Sequence, residues 1–305
     1  MVKTAKRQKH EQIIKKVRQN YKSLVWVEGG DNREVAVVDG LEVFRFSKDD
    51  SGIAVGRYEF DVLKLLQGRL TVDMPAPIEL AIDCSYNVLS FLPGKVLSKK
   101  AVTELSFEKR RSLGVAIAGV INELNSKINQ EELLAIPTSR PFARNRDEFY
   151  AAVYHFAQQQ KTKYAVAYCH NYDQMRALRP DGSSSNIIVF GDFSSPNLVL
   201  SDHDELSGVI DWTELGLGDI HNELRPVFSV IGQSAFEQMI KALDPQLGTV
   251  DQEIVRLSAV IHELSVIVHG KQKGILSAER AKLATDSLDI WLPKDWATQW
   301  QTPVR

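Results

Sequence analysis

One stretch, residues 187–214, constrains the fold of this chain more than any other. It reads IIVFGDFSSPNLVLSDHDELSGVIDWTE, in which short apolar runs alternate with polar turns. Short apolar runs bounded by Gly, Pro, Asn, Asp and Ser predict strands joined by tight turns. The stretch therefore predicts a small β-structure with three polar side chains at the ends of its strands: Asp192, Asn197 and Asp211.

These three side chains have the chemistry of a phosphoryl-transfer site. Asp192 lies where a predicted strand becomes a loop, and a carboxylate there can orient a hydroxyl group for attack. Asn197 and Asp211 offer an amide oxygen and a carboxylate, which are oxygen ligands suited to magnesium. A single Asp in a loop is more often a cap or turn residue, but the spacing of all three favours a site.

The first 92 residues are rich in strand signals. Five strands are predicted, at residues 24–27, 34–38, 41–46, 78–83 and 86–92. Residues 10–21 and 56–66 carry apolar side chains at helical spacing. Pro93-Gly94 ends the last strand, so residues 1–92 are predicted to form a small α+β lobe that ends at a hinge.

Four residues of this first lobe suit a phosphate site. Gly29 and Gly30 lie in a turn between two predicted strands, where backbone N–H groups can approach a phosphate closely, although a plain hairpin turn is the alternative. Arg45 lies in a mostly apolar strand and needs a partner. Glu59 on the following helix is the candidate partner, and two unrelated surface charges are the alternative.

The remainder, residues 93–305, is predicted to be mainly helical around the central β-stretch. Helices are expected at residues 106–126, 148–158, 173–178, 236–243, 251–269 and 278–292. The chain therefore predicts a bilobal α+β architecture, with a small five-stranded lobe and a larger helical one. A ligand cleft between two such lobes is expected on general grounds.

Composition excludes several classes of protein. The net charge of -2 argues against a nucleic-acid binder. Residues 140–305 carry 16 Lys and Arg against 21 Asp and Glu, which suits a cationic ligand or simply a solvated surface. The two cysteines have no metal-ligand spacing. No apolar run spans a membrane and no secretory signal is evident, so a cytoplasmic protein without a membrane partner is predicted.

The central motif resembles a known family. GDFSSPN, followed by GVIDWTE and then LGD, is similar to the aminoglycoside phosphotransferases of the protein-kinase-like fold, and also to the macrolide kinases of that group. DFSS resembles the 2''-acting aminoglycoside kinases. EGGDN, VFRF, the helix with Glu59, Pro75-Ala76-Pro77 and LSFLPG follow in the order of the family's landmarks, so the resemblance covers nearly the whole chain.

The resemblance implies a role for each candidate residue. Asp192 would be the catalytic carboxylate, and Asn197 and Asp211 would be the magnesium ligands. Arg45, paired with Glu59, would contact the phosphates of ATP or GTP.

The same resemblance implies how the nucleotide is held. The backbone of Ser90, Phe91 and Leu92 would receive the base. Gly29 and Gly30 would lie near the phosphates.

Three acidic residues after Asp211 would lie on the acceptor-substrate side: Glu214, Asp219 and Glu223. In this family such residues meet amino groups of the substrate or support the loop, and both roles stay open here.

Two residues depart from the family pattern. Phe190 stands where the family usually has a His two residues before the catalytic Asp, and a phenyl ring can fill that space but cannot make the hydrogen bond. Arg45 stands where Lys is often found; Arg is an adequate phosphate clamp with a different geometry.

The predicted function is a small-molecule kinase that transfers the γ-phosphoryl group of Mg-ATP or Mg-GTP to a substrate hydroxyl. The first acceptor to consider is an aminoglycoside-like antibiotic, which would make the protein an antibiotic-resistance enzyme. One alternative is a kinase of a metabolic amino alcohol or sugar. Another is a nucleotide-binding pseudokinase without turnover, for which Phe190 and Arg45 are the support.

Overall fold

The computed structural model describes residues 5–27, 33–137, 146–179, 186–274 and 276–291. The backbone groups into two units. The first unit comprises residues 1–98, 126–140 and 196–215, and the second comprises residues 99–125, 141–195 and 216–305, in each case as far as they are described. Predicted residues Gly29 and Gly30 lie outside the described residues.

The described strands and helices follow one another in the order typical of an α+β fold. The strands are β1 (Leu24–Val27), β2 (Arg33–Val38), β3 (Glu42–Ser47), β4 (Pro77–Leu80), β5 (Tyr86–Ser90), β6 (Lys95–Val96), β7 (Ile187–Val189), β8 (Leu198–Leu200), β9 (Leu206–Val209) and β10 (Gly216–Gly218). The α-helices are α1 (Ala5–Val17), α2 (Asp50–Leu66), α3 (Lys99–Glu104), α4 (Phe107–Lys127), α5 (Gln130–Leu134), α6 (Arg146–Ala157), α7 (Lys163–Leu178), α8 (Ile220–Ile231), α9 (Gln233–Ala242), α10 (Gln252–Lys273) and α11 (Ala278–Trp291).

The first unit is built on the antiparallel five-stranded sheet that the sequence predicts. The strand order is β1-β2-β3-β5-β4. Helix α1 covers one face, where Ile14 packs with the buried Phe44 and Phe46, and the His10 ring stacks on Phe46 at 4.0 Å between centroids. Buried and half-buried residues alternate along most of β2 and β3, because successive side chains of a strand point to opposite faces. Helix α2 and several polar side chains lie on the face opposite α1.

Helix α2 begins earlier than the predicted residue 56. Asp49 is its N-cap and accepts a hydrogen bond from the backbone N of Gly52 at 2.8 Å. An Asp at this position satisfies a donor that the first helical turn leaves unpaired. With these extra turns the helix starts soon after the end of β3, and Glu59 lies near the middle of the helix, where it is buried.

A second, three-stranded sheet in the first unit has the order β6-β8-β9. The chain enters β6 through Gly94, which has a φ of +130°. A Cβ atom there would lie 2.6 Å from Cγ1 of Val199 and 2.7 Å from the carbonyl oxygen of Leu200. Only glycine can follow this path, and it lets the segment after the predicted hinge pair closely with the central β-stretch.

The second unit packs its helices around α10. Residues of α6, α7, α10 and α11 form one buried cluster that includes Tyr150, Tyr168, Leu257 and Leu264. Strands β7 and β10 pair antiparallel in this unit. Among the described residues, no helix is both long and apolar enough to cross a membrane.

Candidate active site

On the face of the five-stranded sheet opposite α1, strands β1 and β2 carry apolar side chains. Val25 pairs with Val37, and Val27 pairs with Val35, so these four side chains share the face that α1 does not cover. Val25 is 60% exposed and Val27 is 46% exposed. A half-exposed, branched apolar surface on a rigid sheet suits a flat ring such as a nucleotide base.

A buried ion cluster lies on the same face. Glu59 of α2 is 1% exposed. Its Oε1 accepts from Nη1 of Arg45 at 2.6 Å and its Oε2 accepts from Nη1 of Arg33 at 2.6 Å. Oε1 also accepts from the backbone N of Trp212 at 3.1 Å. Arg45 Nη2 lies 3.5 Å from Oδ1 of Asp211. The predicted Arg45–Glu59 ion pair is therefore present, with a second arginine added to it.

The charges of this cluster stabilise one another. Burial acts to raise the pKa of Glu59, but the Arg45 and Arg33 guanidinium groups outweigh it and lower the pKa to about 2. Burial acts to lower the pKa of Arg45, but Glu59 and Asp211 outweigh it and raise that pKa. Burial and the neighbouring Arg45 cation lower the pKa of Arg33, although Glu59 acts to raise it. The two guanidinium groups keep the buried Glu59 carboxylate ionised at neutral pH.

Asp211 occupies a strained turn that α2 holds in place. Its φ of 63° and ψ of 68° lie in the left-handed region, which costs a non-glycine residue about 1–2 kcal/mol. The hydroxyl of Tyr58 donates to the carbonyl oxygen of Leu215 at 2.7 Å, and Glu59 accepts from the amide of Trp212. Two residues of α2 thus bind the backbone on the C-terminal side of Asp211. Burial and the Glu59 carboxylate raise the pKa of Asp211.

Strand pairing brings the two predicted magnesium ligands to neighbouring strand ends. Leu198 of β8 pairs with Val209 of β9, and the backbone N of Ile210 donates to the carbonyl oxygen of Asn197 at 2.9 Å. Asn197 therefore precedes β8 where Asp211 follows β9. The described residues contain no group of three or more His, Cys, Asp or Glu that could hold a metal ion. One amide and one carboxylate fit magnesium, which takes its other ligands from water and phosphate.

Two backbone amides of the predicted base-binding hinge already donate hydrogen bonds within the protein. The backbone N of Ser90 donates to the carbonyl oxygen of Ala76 at 2.8 Å, and the backbone N of Phe91 donates to the carbonyl oxygen of Leu41 at 2.7 Å. These two amides hold the end of β5 in place. A base at this hinge would meet its remaining backbone groups, the Leu92 amide among them.

In the second unit, Glu223 clamps the backbone that leads to Asp192. It lies on α8 and is 1% exposed. Its Oε1 accepts from the backbone N of Phe190 and its Oε2 from the backbone N of Gly191, both at 2.7 Å. Gly191 has a φ of +88°, so the chain turns sharply just before Asp192. Of the two roles predicted for Glu223, support of the loop is the one that these contacts fit.

Phe190 and Asn125 complete this support. The Phe190 ring is fully buried and packs on Phe193 at 4.6 Å between centroids. Asn125 of α4 binds both backbone groups of Ile188: its Nδ2 donates to the carbonyl oxygen and its Oδ1 accepts from the amide, each at 2.9 Å. The phenyl ring that replaces the expected His is thus a core residue, while amide and carboxylate side chains hold the backbone around it.

The other two acidic candidates differ in exposure. Asp219 is 5% exposed and is the N-cap of α8. Its Oδ1 accepts from the backbone N of His221 at 2.9 Å and its Oδ2 from Arg179 at 3.2 Å, so its contacts also fit the supporting role. Burial acts to raise its pKa, but His221 and Arg179 outweigh it and lower the pKa. Glu214 is half-buried in the short turn after Asp211.

Sequence reasoning missed Arg33, Tyr58 and Asn125. Arg33 had only part of a signal: strand alternation places it on the same face as Val35, but the pairing of Val35 with Arg45 depends on the strand register. Tyr58 lies beside Glu59 in the sequence, but its bond to Leu215 joins residues far apart in the chain. Asn125 lies at the end of the predicted helix 106–126, and no functional role follows from that position alone, because a polar residue near a helix end is ordinarily solvated or a cap.

The sequence model described as "Phosphotransferase enzyme family" matches residues 27–252. No curated protein sequence matches the chain with significance. Among solved structures, the GDP complex of aminoglycoside 2'-phosphotransferase-IIIa is similar, with a TM-score of 0.77 and 16% identity over 96% of this chain and 99% of that one.

Two further structures are similar over nearly their whole length. The streptomycin-ATP-APH(2'')-IIa ternary complex has a TM-score of 0.64 and 17% identity, and covers 97% of this chain and 99% of that one. Macrolide 2'-phosphotransferase MphH from Brachybacterium faecium has a TM-score of 0.67 and 18% identity, and the match covers 91% of this chain and 97% of that one. These likenesses confirm the predicted kinase-like α+β fold.

Proposed function

Because this chain belongs to the phosphotransferase enzyme family, we propose that it transfers the γ-phosphoryl group of Mg-ATP or Mg-GTP to a hydroxyl group of a small molecule. The observation that carries the proposal is the buried cluster in which Glu59 binds Arg45 and Arg45 in turn reaches Asp211. A buried cation joined to a helix carboxylate and to a metal-ligating Asp is the arrangement that places the phosphates of a nucleoside triphosphate in kinases.

Each predicted residue then has a part in the reaction. Asp192 accepts a hydrogen bond from the acceptor hydroxyl and orients its oxygen toward the γ-phosphorus. Asn197 and Asp211 hold magnesium, which neutralises charge on the phosphates when bound. Arg45 donates to the phosphates from the floor of the site. Gly29 and Gly30 lie outside the described residues, and for them we keep the phosphate-binding role that the family resemblance implies.

The base lies against the apolar sheet face and the hinge. Val25 and Val27 offer an exposed apolar surface there. The hinge residues Ser90 and Phe91 have their amides engaged within the fold, so the base contacts the hinge through carbonyl oxygens and the Leu92 amide. The family resemblance does not separate adenine from guanine, and similar structures contain GDP or ATP.

The acceptor that we propose is an aminoglycoside-like antibiotic. Two supports are the likeness to aminoglycoside phosphotransferases and the acidic balance of residues 140–305, which suits a polycationic molecule. Glu214 is the half-buried acidic candidate for contact with an amino group. Asp219 and Glu223 support the fold of the second unit. A protein with this function confers antibiotic resistance.

A nucleoside-diphosphate-release assay tests the proposal. Purified protein is given Mg-ATP or Mg-GTP with a panel of aminoglycosides, macrolides, amino alcohols and sugars, and turnover is expected with an aminoglycoside. Turnover with an amino alcohol or sugar alone would replace the proposed acceptor. A folded protein that binds nucleotide but turns over no acceptor would instead be a pseudokinase.

The role of Asp192 is tested by Asp192→Ala with a matched control. Loss of the carboxylate is expected to lower kcat by about 10³-fold or more while leaving nucleotide affinity nearly unchanged. The control is Asp202→Ala, because Asp202 is an 89% exposed Asp on the turn between β8 and β9 and pairs only with the exposed Lys95 at 3.3 Å among its described ion pairs. An active Asp192→Ala variant would exclude the assigned role.

A further inference from the structure

Arg33 is a buried cation for which the proposed reaction has so far no use. It begins β2 and is 8% exposed. Its Nη1 donates to Oε2 of Glu59 at 2.6 Å. Its Nη2 is buried and has no hydrogen-bond partner among the described residues. A buried unpaired donor on a charged group is costly, so the position of this guanidinium needs a reason beyond a single ion pair.

Arg45 forms ion pairs with two carboxylates. Its Nη1 donates to Glu59 at 2.6 Å, and its Nη2 lies 3.5 Å from Asp211. If Arg45 were the only cation beside Glu59, moving it toward a phosphate would leave a carboxylate that is 1% exposed without a counter-charge. Breaking a buried ion pair in this way is strongly unfavourable. Arg45 would then stay bound to Glu59 rather than turn to a ligand.

Arg33 removes this conflict. It binds the Glu59 oxygen that Arg45 does not use, so Glu59 keeps a cation at 2.6 Å whichever way Arg45 turns. Oε1 keeps a second donor as well, the backbone N of Trp212 at 3.1 Å. Magnesium bound by Asp211 would compete with Arg45 for that carboxylate. Arg45 would thereby be available to the phosphates without leaving either anion uncompensated.

We propose that Arg33 is a positioning residue of the nucleotide site, which neutralises Glu59 so that the Arg45 guanidinium can bind the phosphates of a magnesium-bound nucleoside triphosphate. This inference rests on the proposed function, and it explains how Arg can serve in β3. Arginine forms stronger and more directional pairs with carboxylates than lysine does. An arginine at position 45 therefore needs a second cation beside Glu59.

The test measures binding of a ligand series rather than activity. Equilibrium binding of the nucleoside, the magnesium-bound diphosphate and the magnesium-bound triphosphate is measured for the wild type, Arg33→Met and Arg33→Gln. We expect both variants to bind the triphosphate about tenfold more weakly, the equivalent of one charge-assisted hydrogen bond. Binding of the nucleoside, which carries no phosphate, should stay within about twofold.

Two controls keep the result specific. Arg69→Met removes an Arg–Glu pair with the same 2.6 Å distance in the same unit, but Arg69 and Glu132 are exposed, so affinity should not change. Arg33→Lys retains the charge beside Glu59 and should recover most of the triphosphate affinity. Thermal unfolding of each variant without nucleotide identifies any that fail to fold, in which case Arg33→Lys and Arg33→Gln are compared with each other.

The outcomes separate this inference from the proposed function. Weaker binding confined to the phosphate-bearing ligands supports a positioning role. Equal weakening of nucleoside and triphosphate, or no weakening, overturns it and leaves Arg33 as a packing residue. A wild-type protein that binds neither nucleotide overturns the proposed function itself.

Discussion

Glu59 in the first unit and Glu223 in the second are both glutamates on a helix, both 1% exposed, and both use each of their oxygens. Their partners differ in kind. Glu59 binds two arginines and one backbone amide. Glu223 binds the backbone amides of Phe190 and Gly191, which carry no net charge.

The difference separates two ways of preparing a site. A carboxylate among cations sets the charge that a ligand meets, because an arginine bound to it can also turn to a phosphate while a second one keeps the carboxylate neutralised. A carboxylate bound to backbone amides sets the path of the chain, because the donors cannot move without the loop. In the proposed function, Glu59 therefore prepares nucleotide binding, whereas Glu223 holds the backbone that leads to Asp192.

The largest effect is expected for Glu59→Gln. The amide deprives Arg33 of its carboxylate partner and leaves Arg45 with only Asp211 at 3.5 Å. Removing one partner of a buried ion pair costs about 3–5 kcal/mol. Urea unfolding should show this loss, and nucleotide affinity should fall with it. If Glu59→Gln had the same free energy of unfolding as the wild type, the ion pairs of Glu59 would not stabilise the first unit.

Acid should destabilise the first unit through Glu59. The pKa of Glu59 is lowered to about 2 in the folded protein, mainly by Arg45 and Arg33 working against burial. A carboxylate whose folded pKa lies below its unfolded value of about 4.5 stabilises the fold above that value. This stabilisation is lost as the pH falls from about 4.5 toward 2.

The measurement is the free energy of unfolding of the wild type against pH, compared with Glu59→Gln. The wild type should lose stability steeply in that acidic window. The variant lacks the titrating group and should give a flatter curve there. Parallel curves for the two proteins would assign the acid sensitivity to other carboxylates.

A smaller effect is expected for Glu223→Gln. One amide NH₂ group would then face a backbone N–H, which leaves a buried donor unsatisfied at a cost of about 1–3 kcal/mol. Because the loop before Asp192 would shift, kcat should fall while nucleotide affinity stays near that of the wild type. A fall in nucleotide affinity without a fall in kcat would contradict the proposal that Glu59 serves nucleotide binding and Glu223 serves the loop before Asp192.

Much of the first unit could be predicted because its signals are local. The five strands are short alternating or apolar runs between turn residues, and the Arg45–Glu59 pair follows from a cation in an apolar strand. Arg33 was missed because its role depends on strand pairing. The pairing of Val35 with Arg45 places Arg33 near the same carboxylate, and that register cannot be read from either strand alone.

The second unit was harder to predict because its helices contradict local signals. Helix α8 contains Pro226, which indicates a helix end, and for its N-cap Asp219 the sequence leaves a substrate role and a supporting role open. Helix α7 begins at Lys163, well before the predicted residue 173, because Thr162 caps it and its aromatic face packs against α6 and α10. Tertiary packing outweighed propensity in both cases.

The smallest effect that we predict concerns the link between α2 and the Asp211 turn. Tyr58→Phe removes the hydroxyl that donates to the Leu215 carbonyl oxygen at 2.7 Å and keeps the ring, so the fold should lose about 1 kcal/mol. Burial raises the pKa of Tyr58, so the hydroxyl is a neutral donor at neutral pH. Urea unfolding measures the difference.

Tyr154→Phe is the matched control for this link. Its hydroxyl donates to Asp173 at the same distance of 2.7 Å, but the pair is exposed. Water can replace the lost hydrogen bond there, so the free energy of unfolding should change by no more than about 0.5 kcal/mol. Because the two bonds are equally long, a larger loss for Tyr58→Phe can be assigned to its burial. Equal losses would mean that the backbone after Asp211 is held by Glu59 and the Trp212 amide without help from Tyr58.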